Sequence, residues 1–202
     1  MFITIEGGEG TGKSTQIKVL ADRFKSLGKT VVLTREPGGT QQAEALRNLL
    51  VSGETDRWSA ESEALLNYAA RDSHLQQVIR PALAAGSTVL CDRFMDSTRA
   101  YQGYAGACTF HLLDELEQSI VRDTRPTLTL IFDLDPIIGL ARAKSRGDGA
   151  EDRFERKGLA FHQRIRDGFL EIAKSEPQRC RVVDANQSIE AVAAAIWSQV
   201  NG

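Results

Sequence analysis

Residues 7–15 read Gly-Gly-Glu-Gly-Thr-Gly-Lys-Ser-Thr and follow the apolar run Phe2-Ile3-Thr4-Ile5. Gly7, Gly12, Lys13 and Ser14 occupy the fixed positions of G-x-x-x-x-G-K-[ST], a loop that wraps phosphates. Glycines let the backbone curl around an anion with its N–H groups inward, and a following helix N-terminus adds positive potential. Lys13 can reach the β- and γ-phosphates, and the Ser14 hydroxyl can hold Mg²⁺. Gly8, Glu9, Gly10, Thr11, Gly12 and Thr15 complete the stretch expected to wrap the triphosphate. A β-branched segment leads in, and Ile17, Leu20, Ala21, Phe24 and Leu27 form one helical face leading out, with Gly28 as the stop. Motif and context agree, and together they imply a nucleoside triphosphate site.

Further charged clusters follow apolar runs: Arg35-Glu-Pro-Gly-Gly-Thr40, then Asp92-Arg-Phe-Met-Asp-Ser97 with Ala100-Tyr-Gln-Gly103. Tyr68-Ala-Ala-Arg71 lies within a helical run. The elements that must position them alternate along the chain. Residues 30–34, 87–91, 127–134 and 181–183 read as buried strands, continuous rather than alternating, as expected when helices cover both faces. Helices are expected near 41–52, 59–80, 111–122, 136–146, 154–175 and 188–200, the last capped by Ser188. Pro81 should end or kink the third helix, and Gly86 should release the chain into a strand. The expectation is one domain over 1–202, a doubly wound α/β fold on five parallel strands. Ligands of such sheets gather at the carboxyl ends of the strands, where these clusters converge.

Composition narrows the classes. The 202 residues suffice for one sizeable core, and a net charge of -2 argues against a nucleic-acid platform. The basic residues are 18 Arg against 7 Lys, a bias toward the planar fork that suits phosphate oxygens. Cys91, Cys108 and Cys180 are scattered and odd in number, which gives no disulfide framework or metal pattern and fits a reducing compartment. The absence of a signal-like start and of a long apolar stretch points to a cytoplasmic protein.

Taken in order, Glu9 in the phosphate loop, Arg-Glu-Pro-Gly-Gly-Thr, Ala-Ala-Arg, Asp-Arg with Ala-Tyr-Gln, and Asp152-Arg-Phe-Glu155 resemble bacterial thymidylate kinases along nearly the whole chain. The resemblance implies transfer of the ATP γ-phosphoryl group to dTMP, with Mg²⁺, in a homodimer. It assigns Arg93 to the acceptor phosphate near the transferred group and Asp92 to the metal, acting through water. Glu9 would meet the deoxyribose 3′-OH, and Arg47 would clamp the dTMP phosphate. Glu36 would orient one of the arginines at the strand end. Arg71 would donate to thymine O4, Ser97 and Gln102 would line the base edge, and Tyr101 would crowd C2′; Tyr68 also falls in the dTMP set.

Two departures stand out. Relatives carry an aromatic four residues before the helix arginine, where this chain has Asn67. Tyr68 points about 100° away on a helix, so stacking on the base falls to Tyr68, to Phe94 or to neither. Tyr104-Ala-Gly-Ala-Cys108 replaces a glycine-rich stretch ending in arginine. Residues 142–153 read as a lid, with Arg142, Lys144 and Arg146 near a helix end and glycines at 147 and 149. The phosphate loop holds no arginine, so Arg146 or Arg153 is expected to serve the transition state from the lid. A kinase for another small acceptor is the alternative. A regulatory GTPase is disfavoured, since neither Asp-x-x-Gly nor Asn-Lys-x-Asp occurs.

Overall fold

The computed structural model describes residues 1–145 and 153–201. Strands β1 (Phe2–Gly7), β2 (Val31–Arg35), β3 (Thr88–Asp92), β4 (Leu128–Asp133) and β5 (Cys180–Asp184) form one parallel sheet in the order β2-β3-β1-β4-β5. The phosphate loop therefore leaves the central strand, flanked by the ends of β3 and β4. Phe2 faces one side of the sheet and Ile3 and Ile5 the other, following the two-residue period of a strand.

On the Ile3 face, α1 (Lys13–Ser26) and α9 (Ile189–Asn201) bury Ile17, Leu20, Phe24, Val192 and Ile196 against Leu90, Leu130 and Val183. Helix α1 stops where the sequence says it should. Gly28 adopts φ 74°, its N–H bonds the Lys25 carbonyl, and the Lys29 N–H reaches back to Phe24. Ser188 caps α9 by accepting from the Ala191 N–H.

The opposite face carries α3 (Ala60–His74) and α6 (Phe110–Leu116), with α8 (Leu159–Ser175) beyond. Between β2 and α3 lies α2 (Gln41–Val51), capped by Thr40, whose hydroxyl accepts from the Ala43 N–H. Pro81 does not end the third helical run. After His74 the chain makes a π-turn over Leu75–Ile79 and continues as α4 (Arg80–Ala84), with Pro81 in the first turn of the new segment, where a missing N–H costs little. Similar π-turns continue α5 (Met95–Thr98) through Arg99–Tyr104, and α6 through Glu117–Val121. Residues 95–104 are thus helical where the sequence showed only polar clusters.

Helix α7 (Pro136–Lys144) keeps its expected start, with Asp135 as cap. Helix α8 begins later than residue 154. Residues 153–158 are instead turns tied by side chains to the 50–55 segment, and Gly158 occupies the N-cap.

Candidate functional site

The phosphate loop is shaped by contacts that only glycine tolerates at two places. Gly10, at φ 66°, lies so close to α7 that a Cβ would come 2.0 Å from the Gly139 carbonyl. Gly139 in turn allows the helix backbone to reach Glu9, where a Cβ would sit 2.4 Å from the carbonyl oxygen. Lys13 Nζ donates to the Gly7 and Gly8 carbonyls at 3.1 and 2.7 Å, so its charge sits within the loop. Burial, then the nearby Arg93 charge, brings its pKa down to about 8. Ser14 Oγ donates to Asp92 Oδ2 at 3.2 Å, bringing a hydroxyl and a carboxylate oxygen together at the mouth. Hard divalent cations take such oxygens. Among the described residues no cluster of three His, Cys, Asp or Glu could hold a metal alone.

Arg93 follows β3 at φ 67°, in a backbone region that non-glycine residues seldom occupy. Its guanidinium donates to Glu9 Oε1 at 2.9 Å, to the Gly7 carbonyl at 2.9 Å and to Ser97 Oγ at 3.2 Å. Tyr101 donates to the same Glu9 oxygen at 2.7 Å, and the Arg93 guanidinium carbon lies 5.0 Å from the Tyr101 ring centre. Burial alone would raise the Glu9 pKa; Arg93, then Lys13 and the Tyr101 hydroxyl outweigh it and bring the carboxyl to about 2. Beneath this cluster Glu6 accepts from the Phe94 N–H and from Ser97 Oγ, fixing the turn that presents Arg93. Burial, with Asp96 nearby, pushes Glu6 up to about 7.

A cavity of about 140 Å³ opens beside the loop. It shares Glu9, Glu36, Arg47, Arg93 and Glu155 with the space above the phosphate loop, so the two chambers meet across these side chains. Arg71 lies on its wall, buried, with Nε donating to Glu36 Oε2 at 2.7 Å and one terminal nitrogen donating to Thr98 Oγ1 at 3.0 Å. The other terminal nitrogen is buried with no hydrogen-bond partner in the structure. Burial works against the charge of Arg71, but the Glu36 carboxylate holds it protonated. Arg47 donates to the Pro37 carbonyl at the rim. Gln102 lies on the far wall, its amide donating to Glu63 Oε2 at 2.8 Å. Ser97, Tyr101, Asn67 and Phe94 complete much of the lining.

The site thus gathers Glu9, Glu36, Arg47, Arg71, Arg93, Ser97, Tyr101 and Gln102 around one cavity, with Lys13, Ser14 and Asp92 around the other. Tyr68 is not among them. It is wholly buried behind Arg71, whose guanidinium carbon lies 4.4 Å from its ring centre, and it does not line the cavity. Of Tyr68 and Phe94, it is Phe94 that reaches the cavity wall, resting edge-on against Phe2. Glu36 takes Arg71 rather than Arg35 or Arg47.

Arg153 is also corrected. It is fully buried, donating to the carbonyls of Leu50, Glu54 and Thr55 and to Glu63 Oε1. With its fork committed to these acceptors it is a structural clamp, not a group presented to phosphates. Arg146 lies outside the described residues, as does most of the expected lid; Arg142, before it, donates to the Ala185 carbonyl.

Sequence reasoning passed over Glu6, Thr98, Glu63 and Gly139. Only Gly139 left a signal, since a glycine within a helical run invites a close backbone contact.

A glycine-rich loop between the central strand and a helix, with an arginine-lined chamber beside it, defines a P-loop NTPase-type α/β protein with a second ligand pocket. The sequence profile of the family described as thymidylate kinase matches residues 5–196. The thymidylate kinase of Caulobacter vibrioides is 58% identical over 195 residues, 96% of this chain and 93% of that protein. The thymidylate kinase of Magnetococcus marinus is 53% identical over 201 residues, 100% of this chain and 95% of that protein. Among solved structures, thymidylate kinase from Ehrlichia chaffeensis superposes with a TM-score of 0.81 at 36% identity, covering 99% of this chain and 98% of that one. The chain belongs to the thymidylate kinase family.

Proposed function

We propose that this protein transfers the γ-phosphoryl group of ATP to dTMP, giving dTDP and ADP, within a single catalytic domain. The observation that carries the reading is the meeting of the two chambers at Arg93, with the donor loop on one side and Arg71 on the other. Both reacting groups are anionic phosphates, so catalysis is mainly positioning and charge neutralisation. Lys13 exchanges its loop carbonyls for β- and γ-phosphate oxygens. Arg93 holds the acceptor phosphate beside the group in transit, and Arg47 grips that phosphate from α2. Glu9 accepts from the 3′-OH of the acceptor sugar, and Tyr101, fixed on the same carboxylate, fills the space a 2′-OH would need. The unpaired nitrogen of Arg71 donates to thymine O4; an amino group there would leave both donors facing each other. Ser97 and Gln102 lie along the base edge, with Phe94 as the neighbouring aromatic face.

Ser14 and Asp92 are the residues that would hold Mg²⁺, which when bound draws charge from the phosphates. A cytoplasmic setting belongs to the same reading; no helix among the described residues is long and apolar enough to cross a membrane. Leu65 on α3 and Phe110 on α6 expose apolar surface, in keeping with a homodimer.

An ADP-release assay across dTMP, dUMP, dCMP, AMP and thymidine tests the assignment. The highest kcat/KM should belong to dTMP. Faster turnover of thymidine, or of another monophosphate, would replace this reading with that of a kinase for a different acceptor.

A further inference from the structure

His74 takes no part in the site as described, yet it is hydrogen-bonded directly to Glu36, which does. It ends α3, three residues after Arg71, so the two side chains leave the same helix face one turn apart. They divide one carboxylate between them: Arg71 Nε donates to Glu36 Oε2 at 2.7 Å, and His74 Nδ1 lies 2.9 Å from Glu36 Oε1. A carboxylate only accepts, so Nδ1 carries the hydrogen, and in the neutral ring Nε2 is then the acceptor for the Thr34 hydroxyl 2.7 Å away. The ring is wholly buried and rests on Gly39, where a Cβ would come 2.6 Å from it. Next to it, Ser73 and Thr40 join their hydroxyls at 2.9 Å. The end of β2, the Glu36–Thr40 loop and the last turn of α3 are thus locked together through one imidazole.

We propose that His74 is a positioning residue for the acceptor site, fixing Glu36 and, through it, the direction of Arg71. The inference rests on the dTMP reading above. Glu36 lines both chambers, and the phosphate-facing Arg47 and Arg93 lie in the same walls. A Glu36 side chain released at Oε1 has two nearby cations to turn toward, and either turn carries a negative charge onto the path of the acceptor phosphate. It would also free Arg71 to rotate about its remaining bond to Thr98. His74 therefore holds the carboxylate away from the phosphate while keeping the guanidinium aimed at the base.

The test compares His74→Leu, His74→Asn and Thr34→Val with wild type by ADP release, with thermal melting as the check on folding. His74→Leu should raise the dTMP KM about tenfold and narrow the dTMP-to-dCMP ratio of kcat/KM, with the ATP KM within about twofold of wild type. His74→Asn keeps an N–H near the Nδ1 position and should restore most of both. Thr34→Val, which removes only the hydroxyl holding Nε2, should shift the dTMP KM in the same direction by about two- to fivefold. It carries the test if His74→Leu does not fold. Unchanged dTMP KM and selectivity in folded His74→Leu or Thr34→Val overturns the proposal, as does equal behaviour of the Leu and Asn variants. Wild-type protein that turns over no dTMP overturns the function above and this role with it.

Discussion

Arg93 and Glu9, 84 residues apart in sequence, meet at 2.9 Å where the two chambers join. Each is the other's main counter-charge, and each comes from the loop after a neighbouring strand. A double-mutant cycle on stability measures that relationship. Arg93→Ala leaves the Glu9 carboxylate without its partner and should destabilise more than the Glu9→Ala/Arg93→Ala double variant does. The coupling should be about 1–3 kcal/mol by denaturant unfolding, and additive effects would show that the pair is incidental. In turnover, Arg93→Ala should lower kcat by about 10²-fold or more.

The depressed pKa of Lys13, about 8, sets a pH dependence for ATP use. Below that value the ammonium is available to the phosphates; above it the ligand-free protein holds a neutral amine. The kcat/KM for ATP should fall about tenfold per pH unit above pH 8, while dTMP binding followed by calorimetry changes little across the same range. Lys13→Ala should abolish turnover and leave dTMP binding largely intact.

Glu6 gives stability a pH dependence of its own. Its folded-state pKa of about 7 lies above the ordinary 4.5, so the folded protein binds this proton more strongly than the unfolded chain. The associated stability is fully present below pH 4.5 and lost as pH rises through 7, with a slope of up to about 1.4 kcal/mol per pH unit. Glu6→Gln should flatten that part of the stability profile in urea titrations at pH 4.5 to 7.5. An unchanged slope would mean that Glu6 is not the group responsible.

Arg153 and Arg146 should separate by readout. Arg153→Ala strips partners from three carbonyls and from buried Glu63, so its main effect is on stability, a loss of about 3–5 kcal/mol. Arg146→Ala should spare the melting temperature and lower kcat strongly with little change in the dTMP KM. If both leave kcat within a few-fold, neither Arg146 nor Arg153 serves the transition state.

The phosphate loop, the strand ends and most of the cavity wall were legible because they are local: each motif sits next to the run that makes its strand or helix. What escaped depended on contacts distant in sequence. Arg153, in a charged glycine-flanked stretch, reads as part of a lid; the carbonyls of residues 50–55, about a hundred positions earlier, and the Glu63 carboxylate draw it inside. Pro81 hid the path beyond it, since a proline in the first turn of a new segment reads like one that ends a helix, and the π-turn over Arg99–Tyr104 leaves no mark on a 3.6-residue pattern. Tyr68 shows the limit of naming a residue beside the right one. One position along α3 separates a cavity wall, at Asn67, from the core.

Glu63 accepts from Gln102 on one oxygen and from Arg153 on the other. The far wall of the acceptor cavity and the residue that anchors the 50–55 segment therefore depend on a single charge. Over evolutionary time the three positions should therefore vary as a set. A neutral residue at 63 would strand a buried arginine and loosen the Gln102 amide together, and a change at 153 would leave the same carboxylate to Lys157, whose ammonium lies 3.5 Å from it. Drift in this part of the chain should proceed by paired replacements, and lineages that abandon one member should be found to have replaced the others.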